Sequence, residues 1–199
     1  MMGKVLNCMP LIVPKNGQRQ LEIVPLIGNS SVSNRNYHTN ESVRIFAEKT
    51  GGDAKYLYAP ALAENQIEYD TILQLENVKA VEEVWRELDL AVVNIGNYPS
   101  TPDFGSAVRF GSLLQEKKVV GRILNYYVTQ DGEILNSDHD YAIQIPLQTL
   151  ANAGTVLGIC ASNVTPRALL GALHSGILTA VIAPESITKA AIALKQLHM

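Results

Sequence analysis

Apolar residues along this chain fall into short runs, most of which end at a glycine or proline. The longest central run is Leu88-Asp89-Leu90-Ala91-Val92-Val93-Asn94-Ile95-Gly96-Asn97. From Asp89 it is almost unbroken, the pattern of a strand covered by helices on both faces. Gly96 then lets the chain leave the sheet at positive φ, lets a ligand approach the backbone, or is an ordinary turn glycine. Thr155–Cys160 and Ile177–Ile182 read as two further buried strands. Pro166–His174 and Pro184–Gln196 read as helices, Pro166 sitting in a first turn. Strands and helices that alternate with short loops predict a parallel α/β sheet with right-handed crossovers.

The first half is less regular. Leu21–Ile27 reads as a strand ending at Gly28, with Pro25 arguing for an edge or a bulge. The polar stretch from Gly28 to Thr39 is too long for a tight turn. Its asparagines, Asn29, Asn34 and Asn36, read as turn residues or as ligand donors and acceptors. Thr39 or Asn40 caps a helix through Thr50, with an apolar stripe of Val43, Phe46 and Ala47, stopped by Gly51-Gly52. Lys55–Tyr58 reads as a short strand broken at Ala59-Pro60. Residues 61–89 read as helical in pieces, with Trp85 as a core anchor. After a proline-punctuated loop, Ser106–Lys117 reads as a helix and Val119–Thr129 as one long strand. Gln148–Asn152 is a short helix, and Asp131-Gly132 is a tight-turn signal.

Composition narrows the classes. The 199 residues are 47% apolar and 18% charged, enough for a proper core, and the formal net charge is −3. That charge lacks the basic footprint of a nucleic-acid-binding domain. Cys8 and Cys160 match neither a metal spacing nor a disulfide framework, which implies a reducing compartment. No run reaches the length of a membrane span, and Met1–Leu6 lacks the features of a signal peptide. The expectation is a soluble, cytoplasmic protein with no cofactor and no membrane partner.

Candidate chemistry is sparse. Phosphate-loop, dinucleotide, nucleophile-elbow and zinc-protease motifs are absent. Asp138-His139-Asp140 is an acid/base or metal group, or a solvated turn. Cys160 reads as an inert buried thiol. The segment Ala161–Arg167 joins a strand end to a helix start. It is either an anion site, with donors from Ser162, Asn163 and Thr165 and a charge from Arg167, or a well-capped helix. Three loops, 28–36, 96–103 and 161–167, are expected to converge at the carboxyl ends of the strands, with Ala59-Pro60-Ala61 as a fourth wall. The expected ligand contacts from these loops and the acidic group are Gly28, Asn29, Asn34, Asn36, Pro60, Ala61, Gly96, Asn97, Asp103, Asp140, Ser162, Asn163, Thr165 and Arg167.

The order of Val24-Pro25-Leu26-Ile27-Gly28, Asn40-Glu41, Tyr56–Pro60, Leu90–Gly96, Val120–Leu124, Val156–Cys160 and Ala168–Ile182 resembles the C-terminal sugar-binding domain of SorC-family bacterial transcriptional regulators. The resemblance runs from about Gly3 to the end. It implies a three-layer Rossmann-like parallel sheet related to the glucosamine-6-phosphate deaminase and ribose-5-phosphate isomerase fold. It implies a single domain over 1–199 that senses a phosphorylated sugar, without turnover, and contacts DNA only through a helix-turn-helix that this chain lacks. A sugar-phosphate isomerase or deaminase of the same fold is the alternative. Several positions depart from the family. Its first strand and Gly-x-Thr phosphate loop are expected to be missing, with Val5 where threonine is usual. Ala161-Ser162 replaces a glycine pair, a lysine position falls near Thr165, an arginine position near Tyr141, and an acidic position is Arg122. Arg122 or Arg167 then compensates for the lost basic groups, or the effector differs, or binding is lost. A missing first strand leaves a sheet edge exposed, so a homo-oligomer is expected.

Overall fold

The computed structural model describes residues 21–29, 38–100 and 109–197. They group into two compact units, one running to Glu87 with Tyr141–Thr149, the other comprising Leu88–Asp140 and the chain from Leu150.

In the first unit two short strands, β1 (Glu22–Ile23) and β2 (Asp53–Ala54), pair in parallel. Helix α1 (Thr39–Thr50) crosses between them. It buries Val43 and Ala47 and stops where Gly51, at φ 73°, turns left-handed and returns its N–H to the Ala47 carbonyl. His38, not Thr39 or Asn40, occupies the cap position, and its side chain makes no cap bond. Thr39 donates instead to Asn29 Oδ1, and Asn40 Nδ2 donates to the Leu57 carbonyl. Helices α2 (Gln66–Leu73) and α3 (Glu76–Arg86) follow, the latter burying Val78, Val81 and Trp85. Trp85 is a core anchor as expected, 2% exposed, and its indole N–H donates to the Pro25 carbonyl at 2.9 Å.

Two expectations fail here, the first at a proline and the second because side chains replace the ladder. The Leu21–Ile27 strand stops at Ile23, ahead of Pro25, and resumes only as single bridges at Ile27 and Asn29. The Lys55–Tyr58 strand does not form. The Leu57 N–H donates to Asn40 Oδ1, and the Tyr58 N–H donates to Asn77 Oδ1. Asn29, Asn40 and Asn77 amides donate to the Leu57 and Tyr56 carbonyls. The backbone is extended, but asparagines satisfy it.

The second unit is built on five strands: β3 (Leu90–Asn97), β4 (Val119–Ile123), β5 (Tyr126–Thr129), β6 (Thr155–Cys160) and β7 (Ala180–Ile182), in the order β5-β4-β3-β6-β7. β3, β6 and β7 run parallel, as expected, in register Ala91↔Val156 and Leu157↔Ala180. β4 and β5 are antiparallel additions. The single strand expected over Val119–Thr129 folds back at Leu124, φ 52°, into a hairpin. β7 is an edge, and all three of its residues are exposed, which corrects the expectation of a buried strand. Helix α6 (Pro166–His174) lies on one face; a Cβ on Gly121 would meet Ala168 Cβ at 2.8 Å, so only glycine lets the helix settle there. Helix α7 (Glu185–Leu197) packs on α6. The opposite face carries Tyr127 and Val119, packed with Phe110, Leu114 and Leu135. Leu114 comes from the short α4 (Leu113–Glu116); Gly111, at φ 55°, breaks the longer helix expected there. Helix α5 (Leu147–Ala151) lies at the junction in sequence. Among the described residues no helix is long and apolar enough to cross a membrane.

Candidate functional site

Asn34, Asn36 and Asp103 lie outside the described residues, as do Cys8 and the Gly3–Val13 segment. The other expected contacts divide between the two units.

In the first unit Gly28, Asn29, Pro60 and Ala61 do come together, bound to each other. The Asn29 N–H donates to the Ala59 carbonyl, and the Ala61 N–H to the Asn29 carbonyl, both at 2.8 Å. Asn29 Nδ2 donates to Leu57, while Oδ1 accepts from Thr39. A Cβ on Gly28 would sit 2.1 Å from the Pro60 carbonyl oxygen. The space that glycine leaves is filled by the chain's own backbone, so Gly28 and Asn29 lock a turn where a ligand approach was expected.

In the second unit several of the expected contacts lie at the carboxyl ends of β3 and β6. Gly96 does not end the strand: β3 continues to Asn97, and Gly96 pairs with Arg122 on β4. Its φ is not positive, and the Arg122 side chain covers it, with Nε 3.2 Å from where a Cβ would stand. Asn97 braces the next loop. Its Nδ2 donates to the Asn163 carbonyl at 2.9 Å, and its Oδ1 accepts the Thr165 N–H at 2.7 Å. Thr165 in turn caps α6, its Oγ1 accepting from Ala168 N at 3.2 Å. Pro166 has no N–H to offer. Among the described residues these bonds leave the Arg167 N–H as the unclaimed first-turn donor, beside the exposed side chains of Ser162, Asn163 and Arg167. The loop is thus both well capped and open toward solvent.

Asp140 has another task. Arg109, whose side chain is 4% exposed, donates from Nε to Asp140 Oδ1 at 2.7 Å and from Nη2 to Oδ2 at 2.9 Å. Nη2 also reaches the Asn125 carbonyl, and the guanidinium lies over the rings of Phe110 and Tyr127 at 5.0 and 5.5 Å. The two-pronged bond and the ring contacts match what a planar guanidinium does best. Asp138 and His139 are exposed, the solvated turn foreseen as one reading, and the described residues hold no cluster of metal-binding side chains. Burial pushes the Cys160 thiol pKa up, which makes it a poor nucleophile.

Sequence reasoning missed Arg109 and Asn40, whose partners lie 31 and 17 residues away. It also passed over Asn94, although a lone amide inside an apolar run is a visible signal.

A family model described as "Putative sugar-binding domain" matches residues 1–193. This chain belongs to that family. Among curated proteins, the sorbitol operon regulator of Klebsiella pneumoniae is 26% identical over 188 residues, covering 90% of this chain and 59% of the relative. The domain therefore spans well under two thirds of that relative's length. The full-length structure of the same regulator superimposes with a TM-score of 0.83 at 22% identity, over 95% of this chain and 64% of that one. A probable sor operon regulator from Shigella flexneri gives 0.80 at 24% identity, over 93% and 75%. The resemblance to SorC-type sugar-binding domains read from segment order holds. In this sugar-binding domain, half-buried Asn97 and exposed Ser162, Asn163, Thr165 and Arg167 are the expected polar contacts found at the carboxyl ends of parallel strands.

Proposed function

We propose that this domain is the effector sensor of a SorC-like transcriptional regulator, and that its effector is a phosphorylated sugar or sugar alcohol. The DNA contact belongs to a helix-turn-helix elsewhere in the regulator, and effector binding changes contacts within a homo-oligomer. The underlying fold is that of the glucosamine-6-phosphate deaminases and ribose-5-phosphate isomerases, used without catalysis. The observation that carries the reading is the brace from Asn97 to Asn163 and Thr165. It holds a loop rich in exposed donors at the carboxyl ends of β3 and β6, in a chain of a sugar-binding family. Crevices of this kind are where parallel sheets take ligands. Arg167, exposed beside its own free N–H at the start of α6, supplies the charge for a phosphate.

The enzymatic alternative needs a general base beside the phosphate clamp. Asp140 is held by Arg109 and is a poor candidate for that role, which favours sensing over turnover.

The test is a thermal-shift and titration screen with sorbitol 6-phosphate, sorbitol, fructose 6-phosphate and inorganic phosphate. A ligand present at 100 times its Kd adds about 2.7 kcal/mol of stability. Arg167→Ala should weaken the phosphorylated compounds by roughly tenfold to a hundredfold and leave sorbitol unchanged. Equal affinity of Arg167→Ala and wild type for the phosphorylated compounds refutes the anion site. Product formation from any of them refutes the non-catalytic reading.

A further inference from the structure

Asn94 is the one polar residue in the run Leu90–Ile95, paired with Ile159 on β6. Its Oδ1 is buried and accepts no hydrogen bond from the described residues. A buried acceptor that no donor among the described residues meets calls for a partner such as a ligand hydroxyl or water. Gly96 stands two residues further along β3 and Arg122 directly opposite Gly96 on β4, so all three share one face of the sheet. The guanidinium lies across Gly96, with Nε 3.2 Å and Cγ 3.3 Å from the position of an absent Cβ. All three residues are half-buried, so this patch of the face is neither sealed nor fully exposed. An amide acceptor thus sits diagonally across from a fork of five N–H donors.

We propose that Asn94 and Arg122 form the subsite that reads a vicinal diol of the ligand. This rests on the sugar-binding reading above. One hydroxyl donates to Asn94 Oδ1, and the guanidinium donates to the oxygen of its neighbour. A diol offers that donor and acceptor side by side. An anion would suit Arg122 but bring a second acceptor against Asn94 Oδ1, and an apolar group would leave the amide unmet. The polyol end of the ligand therefore belongs at Asn94.

Isothermal titration of wild type, Asn94→Leu and Arg122→Met with sorbitol, sorbitol 6-phosphate and inorganic phosphate separates the possibilities. Asn94→Leu should weaken sorbitol and sorbitol 6-phosphate alike by about tenfold and leave inorganic phosphate unchanged. It should also raise the Tm of the free protein by about 2–4 °C, because an unmatched buried acceptor is gone. Arg122→Met should show the same pattern of affinities, and the double variant should lose less than the product of the two single losses. Wild-type affinities in Asn94→Leu overturn the subsite and leave the sugar-binding reading standing; failure of wild type to bind either polyol overturns both. Should Asn94→Leu not fold, single-deoxy analogues of sorbitol 6-phosphate carry the test on wild type. Loss of about tenfold for two adjacent positions supports the diol, and no loss at any position overturns it.

Discussion

Replacing Gly28 by alanine tests whether the first unit is organised by a backbone approach. The new Cβ would lie 2.1 Å from the Pro60 oxygen, 2.5 Å from its carbonyl carbon and 2.9 Å from the Ala59 oxygen. None of these is the end of a flexible side chain, so a backbone segment has to move. That segment is tied at 2.8 Å from Asn29 N to Ala59 O and from Ala61 N to Asn29 O, and the Ile143 N–H holds the Ala61 carbonyl at 3.0 Å. Losing two such bonds costs about 2 kcal/mol, and residual overpacking adds at least about 1 kcal/mol. A total near 3 kcal/mol is a large part of a typical stability of about 5–15 kcal/mol. For a chain of this size it lowers Tm by roughly 6–12 °C. Gly51→Ala is the matched control: its φ is 73° and nothing lies within 4 Å of a new Cβ. It should cost only the left-handed backbone penalty, about 1 kcal/mol, or roughly 2–4 °C. Differential scanning calorimetry on both variants decides. Equal, small shifts would refute the claim that Gly28 exists to admit Pro60.

Asn97→Ala removes both bonds that brace residues 163–165; it should cost about 2 kcal/mol by urea unfolding and weaken every ligand that wild type binds. Arg109→Met removes the two-pronged bond to the Asp140 carboxylate; because Asp140 is 19% exposed, the loss should fall near the low end for a broken buried pair, about 3 kcal/mol, and Arg109→Lys should not restore it, lacking the two-pronged geometry. The raised Cys160 pKa makes a signed pH prediction: the folded state favours the thiol, so its contribution is intact below the unfolded pKa of about 8.5 and is lost as pH rises above it. In a Cys8→Ser background the urea midpoint should fall from pH 7.5 to 9.5, and Cys160→Ala should reduce that fall; an unchanged slope would count against burial as the cause.

The parallel core was legible because its residues obey one dominant force. Ala91, Val93, Ile95 and Val156 are all at most 3% exposed, and hydrophobic runs of that length have few other places to go. Pro166 and Thr165 marked the start of α6, as Gly51 marked the end of α1, through local backbone chemistry that the residue type reveals. The errors occurred where a distant partner overrode the local pattern or where no residue type announced a turn. Lys55–Tyr58 has the composition of a strand, yet Asn40 and Asn77, on other elements, take its hydrogen bonds. Val119–Thr129 looks continuous, yet Leu124 and Asn125 turn it back on itself; neither is a glycine or proline, so no breaker announces the hairpin.

The site shows the same limit more sharply. Glycine at the end of an apolar run signals that something comes close to the backbone, but not what. At Gly28 the visitor is the Pro60 carbonyl, and at Gly96 it is the Arg122 side chain. In both places the inference of close approach was sound and the inference of a ligand was not needed to explain it. Asparagine carries a similar ambiguity: Asn29 spends its whole amide on Thr39 and Leu57, and Asn97 spends its own on the loop before α6. A polar residue near a strand end is evidence for binding only after its internal partners have been counted. By that count Asn94 stands apart, with a buried amide oxygen that no donor among the described residues meets. A lone amide inside the most apolar run of the chain is thus the position at which we propose that a ligand hydroxyl supplies the missing donor.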